Sequence, residues 1–186
     1  RAAKPAIDWT RTSPPKPRFL GVKSFADYDL TDLVERIDWT PFFRTWELKG
    51  TYPRILEDER VGEAARTLFA DASAMLERIV ADKWLTAKGV VGFFAANTID
   101  HDDVAIYADE LRASPRCVIH FLRQQMAKGA GRTNYCLADF VAPSETGVAD
   151  YIGAFAVTAG IGIEACLARF ERAGDDYSQI LVKALA

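Results

Sequence analysis

The residue with the strongest chemical claim is Asp38, an acid set inside Ile37-Asp38-Trp39-Thr40-Pro41-Phe42-Phe43. Trp46 and Lys49-Gly50-Thr51-Tyr52-Pro53 follow closely. Apolar surface gains about 25 cal/mol for each Å² removed from water, so aromatic rings this dense must be buried against something. An acid in such company must be paired, protonated or aimed at a cation. Two readings stay open for Asp38. It is a cap or turn residue ahead of Thr40-Pro41, or it is a ligand residue facing a positive charge.

The remaining reactive side chains do not assemble into a catalytic set. His101 lies in the acidic turn Asp100-His101-Asp102-Asp103, whose acids read as solvated turn residues better than as metal ligands. A cobalamin-binding Asp-x-His-x-x-Gly pattern is absent, because Asp100 abuts His101 directly. His120, between Ile119 and Phe121, reads as a structural histidine. Cys117, Cys136 and Cys166 show neither Cys-x-x-Cys spacing nor a well-placed histidine, so they read as small buried hydrophobes. Gly129-Ala130-Gly131 and Gly160-Ile161-Gly162 complete neither Gly-x-Gly-x-x-Gly nor a P-loop. On chemistry alone the chain is a binding or interaction module, with no catalytic residue and no metal site.

The elements that must position Asp38 follow from the pattern. Residues 1–19 are proline-rich and read as an extended linker with a small anchor at Ile7-Asp8-Trp9. Residues 20–186 read as the folded domain. Asp32 to Arg36 forms a short helix capped by Thr31 or Asp32. From Glu57, apolar residues from Val61 to Val80 recur at steps of three and four, which predicts a long helix. Glu57, Asp58 and Glu59 would occupy its first turn, and Thr86-Ala87-Lys88-Gly89 would end it. Gly89 to Ala96 reads as a buried strand pairing in a hairpin with Asp103-Val104-Ala105-Ile106-Tyr107. Cys117 to Leu122 is a third apolar run, and Arg123 to Lys128 continues it as a possible helix up to Gly129. Asn134 to Pro143 returns to buried character. Asp150 to Thr158 is a further strand, followed by a helix from about Ile163 to Arg172. Asp175 caps a final amphipathic helix that stops at Ala186 without a terminating signal, so the natural chain is expected to continue.

The 186 residues are 49% hydrophobic and 26% charged, which suits one soluble domain with a real core. A net charge of -3 and the lack of a basic, aromatic-interleaved stripe argue against nucleic acid and anionic membranes as partners. No apolar run is long enough to span a bilayer, and a cytoplasmic location is the default.

A set of long blocks adds what spacing cannot. Asp38-Trp39-Thr40-Pro41-Phe42-Phe43, Tyr52-Pro53-Arg54-Ile55-Leu56, Gly89-Val90-Val91-Gly92-Phe93 and Leu122-Arg123-Gln124-Gln125 resemble cobalamin-dependent methionine synthase. So do Asn134 to Pro143, Asp150 to Thr158 and Val182-Lys183-Ala184-Leu185-Ala186. The resemblance is to the first part of its S-adenosylmethionine-binding activation domain, from about residue 7 to the end. It implies an α+β fold, a bent antiparallel sheet packed with helices, and a linker that tethers the domain to a cobalamin-binding domain.

It also implies a function: reactivation of a methyltransferase that carries methyl groups from 5-methyltetrahydrofolate to homocysteine. There the domain presents S-adenosylmethionine for reductive methylation of inert cob(II)alamin, with an electron from flavodoxin or a flavoprotein reductase. Cobalamin and zinc belong to other domains of such an enzyme. Asp38 matches the family's aspartate that contacts S-adenosylmethionine. The family's Arg-x-x-x-Gly-Tyr-Pro segment and later tyrosine have no counterpart here, and Gly50-Thr51-Tyr52-Pro53 is no substitute. The chain alone is therefore expected to bind S-adenosylmethionine weakly or not at all, and not to be catalytic. The competing expectation is a stand-alone interaction or scaffold domain of the same fold without a working ligand site.

Overall fold

A computed structural model describes residues 4–129 and 131–186 of the chain. The order of elements is α+β, as expected. Strands are β1 (Gly21–Tyr28), β2 (Thr86–Ile99), β3 (Asp103–Tyr107), β4 (Pro115–His120) and β5 (Asp150–Ile161). Helices are α1 (Leu30–Val34), α2 (Trp39–Thr45), α3 (Gly62–Ala81), α4 (Ile163–Ala173) and α5 (Asp176–Leu185). One sheet joins the strands in the order β1-β2-β3-β4, with β5 also paired to β2. The chain divides into two compact units, one holding the chain up to Ser24 with Val90–Ala156, the other Phe25–Gly89 with Val157–Ala186.

In the first unit the expected hairpin is present. β2 and β3 run antiparallel with Ala96 opposite Ile106 and Ile99 opposite Asp103. Asp100 takes the left-handed conformation that closes the turn (φ 51°). β4 then pairs antiparallel with β3. β3 has sheet neighbours on both sides, and its alternate residues enter two separate clusters. Val104 joins Ala96, Cys136, Ala138 and Val141, while Ala105 and Tyr107 join Ala95. That period of two is why the strand reads as continuously apolar.

Arg123 to Lys128 is not helical. Arg123 turns inward to two carboxylates, Gln124 N–H donates to the Tyr135 carbonyl (2.9 Å), and Lys128 Nζ donates to the Thr133 carbonyl (2.5 Å). These tertiary bonds hold the segment extended, against the helix propensity of its side chains. Asn97 is buried and fully used. Its amide donates to the Ala142 (3.0 Å) and Val148 (2.8 Å) carbonyls, and its oxygen accepts from Arg112 Nε (3.1 Å).

In the second unit α3 supplies the spine. Ala65, Leu68, Ala72, Met75, Leu76 and Ile79 are buried on one face, packed with Phe43, Ile55, Phe170, Leu181 and Val182. Each such large side chain contributes about 1.5–3 kcal/mol when fully buried. The helix starts later than its pattern suggests. Asp58 Oδ1 accepts from the Arg60 (2.9 Å) and Val61 (3.0 Å) N–H groups, and Arg54–Glu57 forms a separate 3₁₀ turn. The acids at 57–59 thus precede the helix, and Glu63 is the acid of its first turn. It also ends earlier. Lys83 is left-handed (φ 50°) and Trp84 N–H returns to the Ile79 carbonyl (3.1 Å), so Thr86 to Gly89 already belongs to β2. α1 is capped by Asp29, whose carboxylate accepts from Thr31 N–H, so neither Thr31 nor Asp32 is the cap.

Candidate functional site

Asp38 is the N-cap of α2: its Oδ1 accepts from the Thr40 N–H at 3.0 Å. Pro41 follows in the first turn, where its missing N–H costs no intrahelical bond. Trp39, Phe42, Phe43 and Trp46 then fall at helical spacing. The first three are buried in the core of the second unit, and Trp46 is tilted against Tyr177 (5.3 Å between centroids). The aromatic cluster is therefore a helix that has buried one face, with its single acid left outside at the head.

The Lys49 to Pro53 segment is fastened to that head. Tyr52 N–H donates to Thr40 Oγ1 at 3.2 Å, so one threonine holds both the Asp38 carboxylate and the Tyr52 backbone. Gly50 is required by close approach, since a Cβ there would meet Ile55 at 2.9 Å. The Tyr52 ring stacks against Phe69 of α3 (5.5 Å, 29°) and lies near-parallel to Phe43 (6.4 Å, 18°). Phe69 in turn meets Trp39 edge-on (4.7 Å, 71°). The result is a continuous aromatic wall of which Tyr52 is the outer ring, 38% exposed. Beyond Trp39 and Phe69 lies a groove of about 540 Å³ with Val34 and Leu76 in its walls and Glu35 and Glu77 beside them.

The two readings of Asp38 are compatible in this geometry. The cap uses Oδ1, and among the described residues Oδ2 has no hydrogen-bond or ion-pair partner. Asp38 is exposed. A carboxylate fixed by one oxygen and open at the other, at the head of an aromatic helix, is suited to a cationic ligand group.

The other candidates are placed differently from their sequence reading. The acids around His101 are not merely solvated. Asp102 accepts from Arg123 (2.6 Å), and Asp103 faces His120 Nδ1 (2.9 Å), its register partner across β3 and β4. His120 pairs across the strands at the surface; its side chain is 75% exposed, because β4 presents it outward. Cys136 and Cys166 are buried as expected, and burial pushes the Cys166 thiol up. Cys117 is exposed. No three His, Cys, Asp or Glu side chains among the described residues gather as a metal-ion set. No helix of the described residues is long and apolar enough to cross a membrane.

Arg123 is the functional-looking group that sequence reasoning passed over. It donates to Asp139 through both Nη atoms (2.5 and 2.6 Å), to Asp102 through Nε and Nη2, and to the Asn134 carbonyl (2.6 Å). Burial raises the Asp139 carboxyl, but the Arg123 hydrogen bonds and the Cys136 N–H outweigh it and hold the group below the usual range. The arrangement ties Arg123 to Asp102, Asn134 and Asp139 and leaves it no free N–H fork, so its role is architectural. A lone arginine after Ile119-His120-Phe121-Leu122 was the available signal.

Comparison with known proteins agrees with this picture. The family model described as "Vitamin B12 dependent methionine synthase, activation domain" matches residues 29–186. A crystal structure of the MetH reactivation domain bound to AdoHcy is similar at a TM-score of 0.88 and 53% sequence identity, covering 97% of this chain and 55% of that one. The chain thus spans about half the length of that structure. A 3.6-period aromatic helix headed by Asp38, an antiparallel β2–β3–β4 sheet and these matches converge: the chain belongs to the vitamin B12-dependent methionine synthase activation-domain family.

Proposed function

We propose that this chain is the S-adenosylmethionine-binding part of a reactivation module, and that Asp38 is its ligand-contacting acid. The observation that carries the reading is the open Oδ2 of Asp38 at the head of the aromatic wall, in a chain of the activation-domain family. A relative 53% identical to this chain holds AdoHcy, which shares the adenosyl group and the α-ammonium of S-adenosylmethionine. S-adenosylmethionine, when bound, supplies the methyl group for reductive methylation of cob(II)alamin, with one electron from flavodoxin or a flavoprotein reductase.

The chain's own residues bind and orient. The α2 cap fixes the direction of the Asp38 carboxylate, and Thr40 holds Tyr52 beside it. Phe43 and Phe69 keep the wall rigid from behind. In this reading residues 1–19 tether the domain, 20–186, to a cobalamin-binding domain, and the whole enzyme methylates homocysteine from 5-methyltetrahydrofolate.

The test is Asp38→Asn in the full-length protein, followed by calorimetric titration with S-adenosylmethionine. Asparagine keeps the cap and removes the charge, so the fold stays while affinity falls by about tenfold or more. Unchanged affinity with an intact fold would overturn the assignment.

A further inference from the structure

We infer that Tyr52 is a second ligand-contacting residue of this site, and that its ring faces the sulfonium of S-adenosylmethionine. The inference rests on the Asp38 reading above and adds to it the feature that separates substrate from product. Three observations carry it. Tyr52 shares Thr40 with Asp38 through hydrogen bonds of 3.2 and 3.0 Å, so the Tyr52 backbone and the Asp38 carboxylate are held by one residue. Its ring is backed by Phe69 and Phe43, which fixes its orientation and leaves it as the exposed end of the wall. The other rings of that wall belonging to α2 (Trp39, Phe42 and Phe43) are buried in the core, so Tyr52 offers far more of its face to a ligand than they do.

The chemistry follows from the ligand's two cations. The α-ammonium is a strong hydrogen-bond donor and suits the open oxygen of a carboxylate. The sulfonium carries a positive charge with no N–H or O–H to donate, so a π-face is a better partner for it than a hydrogen-bond acceptor. After methyl transfer the sulfonium becomes a neutral thioether and that attraction is lost, while the ammonium contact to Asp38 is retained. Tyr52 would therefore favour S-adenosylmethionine over S-adenosylhomocysteine, and Asp38 would bind both.

The experiment measures affinities for both ligands in the full-length protein carrying Tyr52→Leu, Tyr52→Phe or Asp38→Asn. Tyr52→Leu is expected to weaken S-adenosylmethionine about fivefold and S-adenosylhomocysteine by less than about twofold. Tyr52→Phe, which keeps the ring, restores the preference. Asp38→Asn weakens both ligands alike. Equal loss of both ligands in Tyr52→Leu means that the ring packs on the shared adenosyl group or only supports the fold, and overturns the inference. No loss of either overturns it too. Loss in Asp38→Asn with a flat Tyr52 series overturns this inference alone. A flat Asp38→Asn overturns the underlying site assignment, whatever Tyr52 does.

Discussion

Replacing Arg123 by methionine isolates the energetic centre of the first unit. Arg123 and Asp139 are 8% and 3% exposed at the side chain, whereas Asp102 is 30% exposed. In Arg123→Met, Asp139 keeps only the Cys136 N–H bond (2.9 Å) and remains a buried, uncompensated carboxylate. Removing one partner of a buried pair costs about 3–5 kcal/mol, a large share of the roughly 5–15 kcal/mol available to a domain. Asp102 retains solvent, so Asp102→Asn should cost about 1 kcal/mol or less. In the double variant Arg123→Met/Asp139→Asn no buried charge is stranded. It should regain much of the loss, since a buried pair and an apolar replacement are nearly balanced.

Urea unfolding with a constant slope measures each difference. Acid titration adds a second arm. The Asp139 carboxyl is held low when folded, so its stabilisation is present above the unfolded carboxyl value, about 3.9, and is lost as pH falls through the lower folded value. In Arg123→Met burial is opposed only by the Cys136 N–H bond and the more distant Lys4 charge, Asp139 takes up a proton at higher pH, and the gap to the parent narrows on acidification. A cost below about 1 kcal/mol for Arg123→Met, or a double variant no better than the single, would refute the reasoning.

Asp38→Ala should destabilise the chain by about 1 kcal/mol through loss of the α2 cap, whereas Asp38→Asn should be close to neutral; thermal melts of the two variants separate cap from charge. Gly162→Ala should cost about 1 kcal/mol or more, because φ there is 99° and an added Cβ meets the Trp84 carbonyl at 3.1 Å; a chemical-denaturation midpoint checks it. Tyr177, whose hydroxyl donates to Asp71 at 2.6 Å, is pushed up to about 12 by burial and then by that bond. Its contribution is complete below the unfolded tyrosine value, about 10, and disappears as pH rises through about 12. An ultraviolet titration should show one late phenol that Tyr177→Phe removes.

Local pattern alone determined a good deal of this protein. Apolar spacing in Val61 to Val80, the apolar runs of the β2–β3 hairpin, the glycine at 162 before α4 and the Asp175 cap of α5 all depend on near neighbours in the chain, and all appear in the structure. The aromatic cluster with its lone acid was legible as a buried set, and the structure makes its 39, 42, 43 and 46 spacing a helix face. What needed the tertiary structure was every side chain whose partner is distant in sequence. Arg123 leaves a helix-compatible segment because Asp102 and Asp139 reach it from elsewhere in the chain. His120 became a surface partner of Asp103 only through the register of β3 with β4. Asp38 was legible as cap or as ligand, and one-dimensional spacing does not divide a carboxylate into two oxygens. Folding gave Oδ1 to the Thr40 N–H, left Oδ2 without a partner among the described residues, and tied the Tyr52 backbone to the other end of the same threonine.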